Sequence, residues 1–191
     1  MDELIRDRDL AIRPMRDELP NYECMARWLS DPRVLEFYDG RDRPLSLAGA
    51  IQKYSPRILA ADGVTPCLLI RQDNPVGYMQ YYPVRDESKA EYGLDASENT
   101  SGLYSFDQFI GEPEHWNHGL GTRAVKLMVE YLFRNKMARK IVIDPQARNP
   151  RAICCYKKCG FRKVKLLPGN ELHEGKMEDC WLMEMDRPLP Q

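Results

Sequence analysis

The sequence has no apolar run approaching the roughly eighteen residues that a membrane span needs. It has no basic excess either. Its 28 Lys and Arg stand against 29 Asp and Glu, a net charge of −1. Without clustered Lys and Arg to neutralise phosphates, nucleic acid is excluded as the main partner. The first ten residues, MDELIRDRDL, are charged throughout and lack the apolar middle of a signal peptide, which predicts a cytoplasmic protein. Histidine is scarce, at 115, 118 and 173 only, and the six cysteines at 24, 67, 154, 155, 159 and 180 form no CxxC pair. No second ligand cluster stands at metal-binding spacing, so no metal is expected and the cysteines read as reduced residues. Repeats and low-complexity tracts are missing too. The expectation is one domain over 1–191, with 188–191 a frayed tail.

What is present is a globular composition, 43% hydrophobic and 30% charged, with alternating strand and helix signals. Leu10 to Met15 reads as a strand, Asn21 to Ser30 as a helix with Cys24, Met25, Trp28 and Leu29 on one face, and Asp31-Pro32 as its stop. An aromatic stretch, residues 34–42, runs into a polar turn. A second helix from Ser46 to about Leu59 would carry Leu47, Ile51, Tyr54 and Ile58 inward, kinked or shortened by Pro56. Pro66 to Arg71 and Val76 to Tyr82 form a hairpin across Gln72-Asp73-Asn74-Pro75. Residues 83–102 are a long polar loop, and a loop of that length is often functional. A strand over Leu103 to Ile110 precedes the clearest helix, Gly119 to Arg134. Lys140 to Pro145 is a buried strand ending in a turn, and Pro150 opens a short helix that Gly160 ends. Phe161 to Leu167 and Cys180 to Met185 would pair across a charged loop, 168–179. The order β-α-α-β-β-β-α-β-α-β-β describes an α/β domain around a mixed sheet flanked by helices.

Two segments carry chemistry. In FDQFIGEPEHWNHGLGT, residues 106–122, an apolar strand leads to a glycine turn that opens an amphipathic helix. Gly119 and Gly121 let the backbone come close to a ligand, and free amides at a helix start suit an anion such as a pyrophosphate. The same glycines could simply shape a strand-to-helix connection. No Gly-Lys-Ser/Thr follows, so this is not a P-loop. The turn does not directly follow its strand and a meander precedes it, which excludes the Rossmann fingerprint. The second segment runs from Ile143-Asp144-Pro145 through Asn149-Pro150-Arg151-Ala152-Ile153 to Tyr156 and Gly160-Phe161.

Together these segments resemble the GNAT N-acetyltransferase superfamily over essentially the whole chain. LEFYDGRD at 35–42, VGYMQ at 76–80, FDQFIGEPEHW at 106–116, IDPQARNPRAI at 143–153 and ELHEGKMEDC at 171–180 resemble the aminoglycoside 6'-N-acetyltransferases more narrowly. They are most similar to the acetylating half of the bifunctional acetyltransferase–phosphotransferase enzymes, and the expectation is an acetylating half alone. Trp116 stands where the general family usually has Arg or Gln, and a tryptophan is at home in the narrower group.

The resemblance implies a single-domain GNAT fold that takes acetyl-CoA and needs no metal. It implies acetyl transfer to the 6'-amine of kanamycin- or tobramycin-like drugs, by a monomer or homodimer. The turn residues His118, Gly119, Leu120, Gly121 and Thr122, with Trp116 before them, would hold the pyrophosphate. Backbone of Gln108, Phe109 and Ile110 would bond the pantetheine arm like an added strand, with Asn149 and Ala152 packing from the other side. Asp107 would receive the proton of the attacking amine, or only bind it as an ammonium. Tyr156 would be the acid for the departing thiolate, or only a packing residue. Tyr38, Asp39, Asp107, Asp144, Glu171 and Asp179 would bind the cationic acceptor, although any single carboxylate could equally be a solvated charge. The rival expectations are a GNAT enzyme for another polyamine or a protein amine, and a non-catalytic acyl-CoA-binding module.

Overall fold

The computed structural model describes residues 3–59 and 63–188. The chain orders β1 (Ile5–Asp7), β2 (Leu10–Pro14), α1 (Leu19–Trp28), α2 (Pro32–Leu35), α3 (Leu47–Ile58), β3 (Thr65–Arg71) and β4 (Asn74–Pro83). Then follow β5 (Leu103–Ile110), α4 (Leu120–Asn135), β6 (Lys140–Ile143), α5 (Pro150–Lys158), β7 (Arg162–His173) and β8 (Lys176–Asp186). One eight-stranded sheet runs β1-β2-β3-β4-β5-β6-β8-β7. Every neighbouring pair is antiparallel except β5 and β6. Among the described residues no helix is long and apolar enough to cross a membrane. Of the expected frayed tail only Pro188 lies within the described residues.

The two-residue period of the strands divides the core. Leu10, Ile12, Cys67, Leu69, Met79 and Phe106 point to the face covered by α4 and α5. Ala11, Leu68, Ile70, Tyr78 and Phe109 point to the face covered by α1 and α3. A smaller cluster of Val84, Tyr92, Leu103, Val142, Leu167, Cys180 and Leu182 packs under the 83–102 segment.

The parallel pair opens a gap in the sheet. β5 meets β6 only at Leu103↔Lys140 and Tyr104↔Ile141, while it stays paired to β4 along its whole length to Ile110. From Ser105 onward β5 therefore has no β6 partner, and the backbone on that side faces a cleft closed by α4 and α5.

Three expectations change in the structure. Leu47 and Ile51 of α3 face outward, while Tyr54 and Ile58 pack inward as expected, together with Ala50. The adjacent row of side chains packs on the sheet because a small alanine lets the helix approach closely. Pro56 neither ends nor shortens α3, which runs to Ile58. Asp31-Pro32 does follow the end of α1, as expected, and Pro32 in addition opens the one-turn helix α2 with Asp31 capping it. The charged loop 168–179 is mostly strand: β7 and β8 pair out to Glu171↔Glu178, Leu172↔Met177 and His173↔Lys176. Glu174 and Gly175 both take positive φ, 49° and 74°, and turn the hairpin in two residues. A register irregularity between Leu167 and Glu171 interrupts the ladder.

Candidate active site

Two cavities of about 410 and 380 Å³ open on either side of a shared wall that includes Phe37, Tyr38, Gln108, Asn149, Ala152 and Tyr156. The first lies along the β5–α4–α5 gap. Phe109, Ile110, Trp116, Gly119, Leu120, Gly121 and Thr122 line it. Gly119 caps α4 in the left-handed region, φ 80°, and offers no side-chain cap. The first intrahelical bond is donated by the Arg123 amide to the Gly119 carbonyl at 3.1 Å, so the amides before it point out of the helix start. A Cβ on Gly119 would meet nothing within 4 Å. Uncapped amides in open space suit an anionic group, and a CoA pyrophosphate fits what this cleft presents. The Trp116 indole donates to the Ile110 carbonyl at 2.8 Å and lies 4.3 Å from the Arg151 guanidinium. It thereby shapes the turn. His118 is exposed at the rim and does not line the cleft.

The second cavity carries the acidic groups. Antiparallel register sets Gln80 of β4 directly opposite Asp107 of β5. Gln80 Nε2 donates to Asp107 Oδ2 at 2.6 Å, and the Tyr82 hydroxyl donates to the same oxygen at 3.3 Å. Tyr92, from the long segment after β4, pairs its hydroxyl with that of Tyr82 at 3.1 Å. Asp144 lies just past β6, where Asn170 Nδ2 reaches its Oδ2 at 3.1 Å. Glu171 is held by Gln146 Nε2 at 2.9 Å. Asp39 is ion-paired with Lys53, and Glu91 completes the lining. Arg41 clamps the 36–41 segment to the hairpin tip: its Nε meets Glu174 Oε1 at 2.6 Å and its amide donates to the same oxygen at 2.9 Å.

The carboxylates disturb one another. Burial, then Asp107, Glu171 and Glu91, push the Asp144 carboxyl up to about 8. Burial also raises Asp107, partly offset by Gln80, Tyr82 and Arg57. A buried acid surrounded by other acids takes up a proton more readily, and a bound polycation would expel it. The sign for stability follows. The folded-state pKa of Asp144 lies above its unfolded value of 3.8, so its contribution is fully present below that value and is lost as pH rises toward 8. Asp144→Asn is accordingly expected to melt higher than wild type at pH 8, by several degrees, and at the same temperature at pH 4. Thermal melts of both proteins at the two pH values check this; equal melting temperatures at pH 8 would remove the basis for a strained Asp144.

Of the acceptor-binding residues expected from sequence, Tyr38, Asp39, Asp107, Asp144 and Glu171 line the second cavity. Asp179 does not. It is exposed, its Oδ1 accepts from the Gly169 amide at 2.8 Å, and its carbonyl accepts from the Ala147 amide at 2.7 Å. Those bonds hold the irregularity of β7 that precedes Asn170 and Glu171, so Asp179 shapes the wall without entering it. Sequence reading missed Gln80, Tyr82 and Tyr92. A lone glutamine inside the apolar run VGYMQYY was the available signal.

The description of an acetyltransferase (GNAT) domain matches residues 17–168, and the chain belongs to that family. It is 33% identical over 136 residues to an aminoglycoside N(6')-acetyltransferase type 1 of Klebsiella pneumoniae, a match covering 71% of this chain and 66% of that protein. The chain thus matches a little under two thirds of that relative's length. The fold resembles the crystal structure of aminoglycoside acetyltransferase AAC(6')-Ib in complex with coenzyme A, with TM-score 0.74 and 27% identity over 93% of this chain and 95% of that one. Spermidine N-acetyltransferase from Vibrio cholerae in complex with CoA and spermine shares the fold at TM-score 0.73 and 16% identity, covering 93% of this chain and 95% of that one.

Proposed function

We propose that this chain moves the acetyl group of acetyl-CoA to the 6'-amine of aminoglycoside antibiotics, giving resistance, and that it acts in the cytoplasm, where acetyl-CoA is available. The observation that carries this reading is the shared wall. A cleft suited to a CoA pyrophosphate and a cavity holding Asp39, Glu91, Asp107, Asp144 and Glu171 meet at Gln108 and Tyr156. A non-catalytic CoA-binding module has no use for the acidic cavity. The named relatives support the drug assignment: one carries it in its name, and AAC(6')-Ib has been solved with coenzyme A and kanamycin.

When bound, acetyl-CoA supplies an activated thioester. The chain's residues do the rest. Backbone amides at 119–122 hold the pyrophosphate, and the unpaired edge of β5 near Gln108 to Ile110 aligns the pantetheine. Asp107, raised above its ordinary value by burial, is a better proton acceptor than a free aspartate. It first holds the ammonium and takes one proton from it, which frees the nitrogen lone pair to attack the thioester. Burial pushes the Tyr156 phenol far up, so it keeps its proton and steadies the leaving thiolate by a hydrogen bond. Outright proton delivery to a thiolate, whose conjugate acid has a pKa of about 8.5, would run uphill.

Exposed ion pairs contribute only about 0.2–1 kcal/mol each, so affinity for a multiply charged sugar has to come from several carboxylates acting together. Thiol release is expected with kanamycin- or tobramycin-like drugs. Analogues with a 6'-hydroxyl are expected to be poor substrates, and salt should raise KM for the drug more than for acetyl-CoA. Purified protein assayed on both drug groups and on polyamines checks this. Turnover of polyamines with no turnover of either drug group would overturn the assignment.

A further inference from the structure

The last turn of α3 sends Arg57 into the acceptor cavity. At first sight a guanidinium is misplaced there, since it repels a cationic acceptor. Its contacts give it another purpose. Arg57 Nη1 donates to Gln80 Oε1 at 2.9 Å, and the Tyr78 hydroxyl donates to the same oxygen at 2.8 Å. Gln80 Nε2 then donates to Asp107 Oδ2 at 2.6 Å. A guanidinium carries donors only. Its bond therefore fixes which end of the Gln80 amide is the acceptor, and the NH2 end has to face Asp107. Tyr78 alone could not impose that polarity, because a hydroxyl both donates and accepts. The guanidinium is itself held over the Tyr54 ring, 5.6 Å from its centre.

We propose that Arg57 is a positioning residue for the acetyl transfer: through Gln80 it orients the Asp107 carboxylate and favours its ionised form. The proposal rests on Asp107 being the group that receives the amine's proton.

The surroundings of Asp107 make such a cation useful. From β4 it faces Gln80 and Tyr82, and from α3 it faces Arg57, with Lys53 in the same lining and Tyr54 close enough to feel its charge. Tyr38 and Asp39 border it from the segment after α2, Glu91 and Tyr92 from the loop after β4. Asp144, Tyr156 and Glu171 close the opposite side. The nearby carboxylates all disfavour a charged Asp107. Lys53 is already paired with Asp39, and among the described residues that line this cavity that leaves Arg57 as the cation opposing them at Asp107.

The test uses full-length protein with 13C-carboxyl aspartate, the Asp107 resonance being identified by its loss in Asp107→Asn. Arg57→Met removes both charge and donor, and Arg57→Gln serves as a second neutral variant should the first fail to fold. The Asp107 titration is expected to move up by about one unit, roughly a tenfold tighter proton. Arg57→Lys should restore at least half of that shift. The acid limb of kcat/KM should move with it, while KM for the acceptor stays level or falls because a repelling charge is gone. A shift of less than half a unit in a folded neutral variant overturns the role of Arg57. The titration needs no acceptor, so a wild-type protein inactive on aminoglycosides would overturn the functional reading alone and leave the Arg57 result to be decided by its own measurement.

Discussion

Asp107→Asn is expected to lower kcat by roughly 10²–10⁴-fold, the usual contribution of a placed general base. KM for acetyl-CoA should stay within about twofold, because the nearest CoA contacts proposed here are backbone groups. The substitution should spare the fold. An asparagine oxygen can still accept from Gln80 Nε2 and from the Tyr82 hydroxyl, which now converge on Oδ2. It also removes a carboxyl that burial holds above its ordinary value, so the variant should be no less stable near pH 8. Wild-type kcat/KM should rise with pH through the raised Asp107 titration, and the variant should lose that limb. Steady-state kinetics across pH 5–9 measure both. A variant within threefold of wild type would assign deprotonation to another group or to water. Tyr156→Phe is a useful contrast. Its phenol keeps its proton, so only a hydrogen bond to the thiolate is lost, and the drop in kcat should be well below that of Asp107→Asn.

The second large effect is expected in the other cavity. Gly121→Val should weaken acetyl-CoA binding by roughly 5- to 150-fold, the range expected when added methyl groups crowd a fitted contact by 1–3 kcal/mol. The fold should survive. Gly121 has an ordinary helical backbone, and a Cβ there would come no closer than 4.0 Å to Cys155 Sγ and Gln108 Nε2. The valine therefore has room on the cleft side and conflicts only with what binds there. Gly119→Ala separates space from strain. Its Cβ would be unhindered, but the left-handed backbone disfavours any side chain, so stability should fall by about 1 kcal/mol while the cleft stays open. Calorimetric titration with acetyl-CoA and thermal melts of both variants distinguish the two causes. Unchanged affinity in Gly121→Val would move the pyrophosphate away from the glycine turn.

The elements set by near neighbours could be read directly from the sequence. The α4 stripe of Leu120, Ala124, Leu127, Met128, Tyr131 and Leu132 is buried as its helical spacing requires. The β3–β4 hairpin forms where the turn residues lie, and Asn149 caps α5 through the Ala152 amide at 3.0 Å. The glycine turn and the strand carrying Asp107 were likewise legible, because glycine freedom and a two-residue period act within a few residues. Other features depended on partners far along the chain. The Gln80↔Asp107 pairing joins positions 27 apart through inter-strand register. The divergence of β5 from β6 depends on where a parallel ladder stops. The tight Glu174-Gly175 turn of the β7–β8 hairpin has no Asn-Gly signature, so the strands beside it looked like loop. Asp179 and Glu171 look alike in a charged stretch, yet a register irregularity leaves Asp179 on Gly169 and Glu171 in the second cavity. Local backbone and side-chain preferences determined the helices, the turn and the candidate chemistry. Which carboxylates converge, and which amide and guanidinium stand behind Asp107, was decided only when long-range hydrogen-bond register and the packing of α3 brought them together.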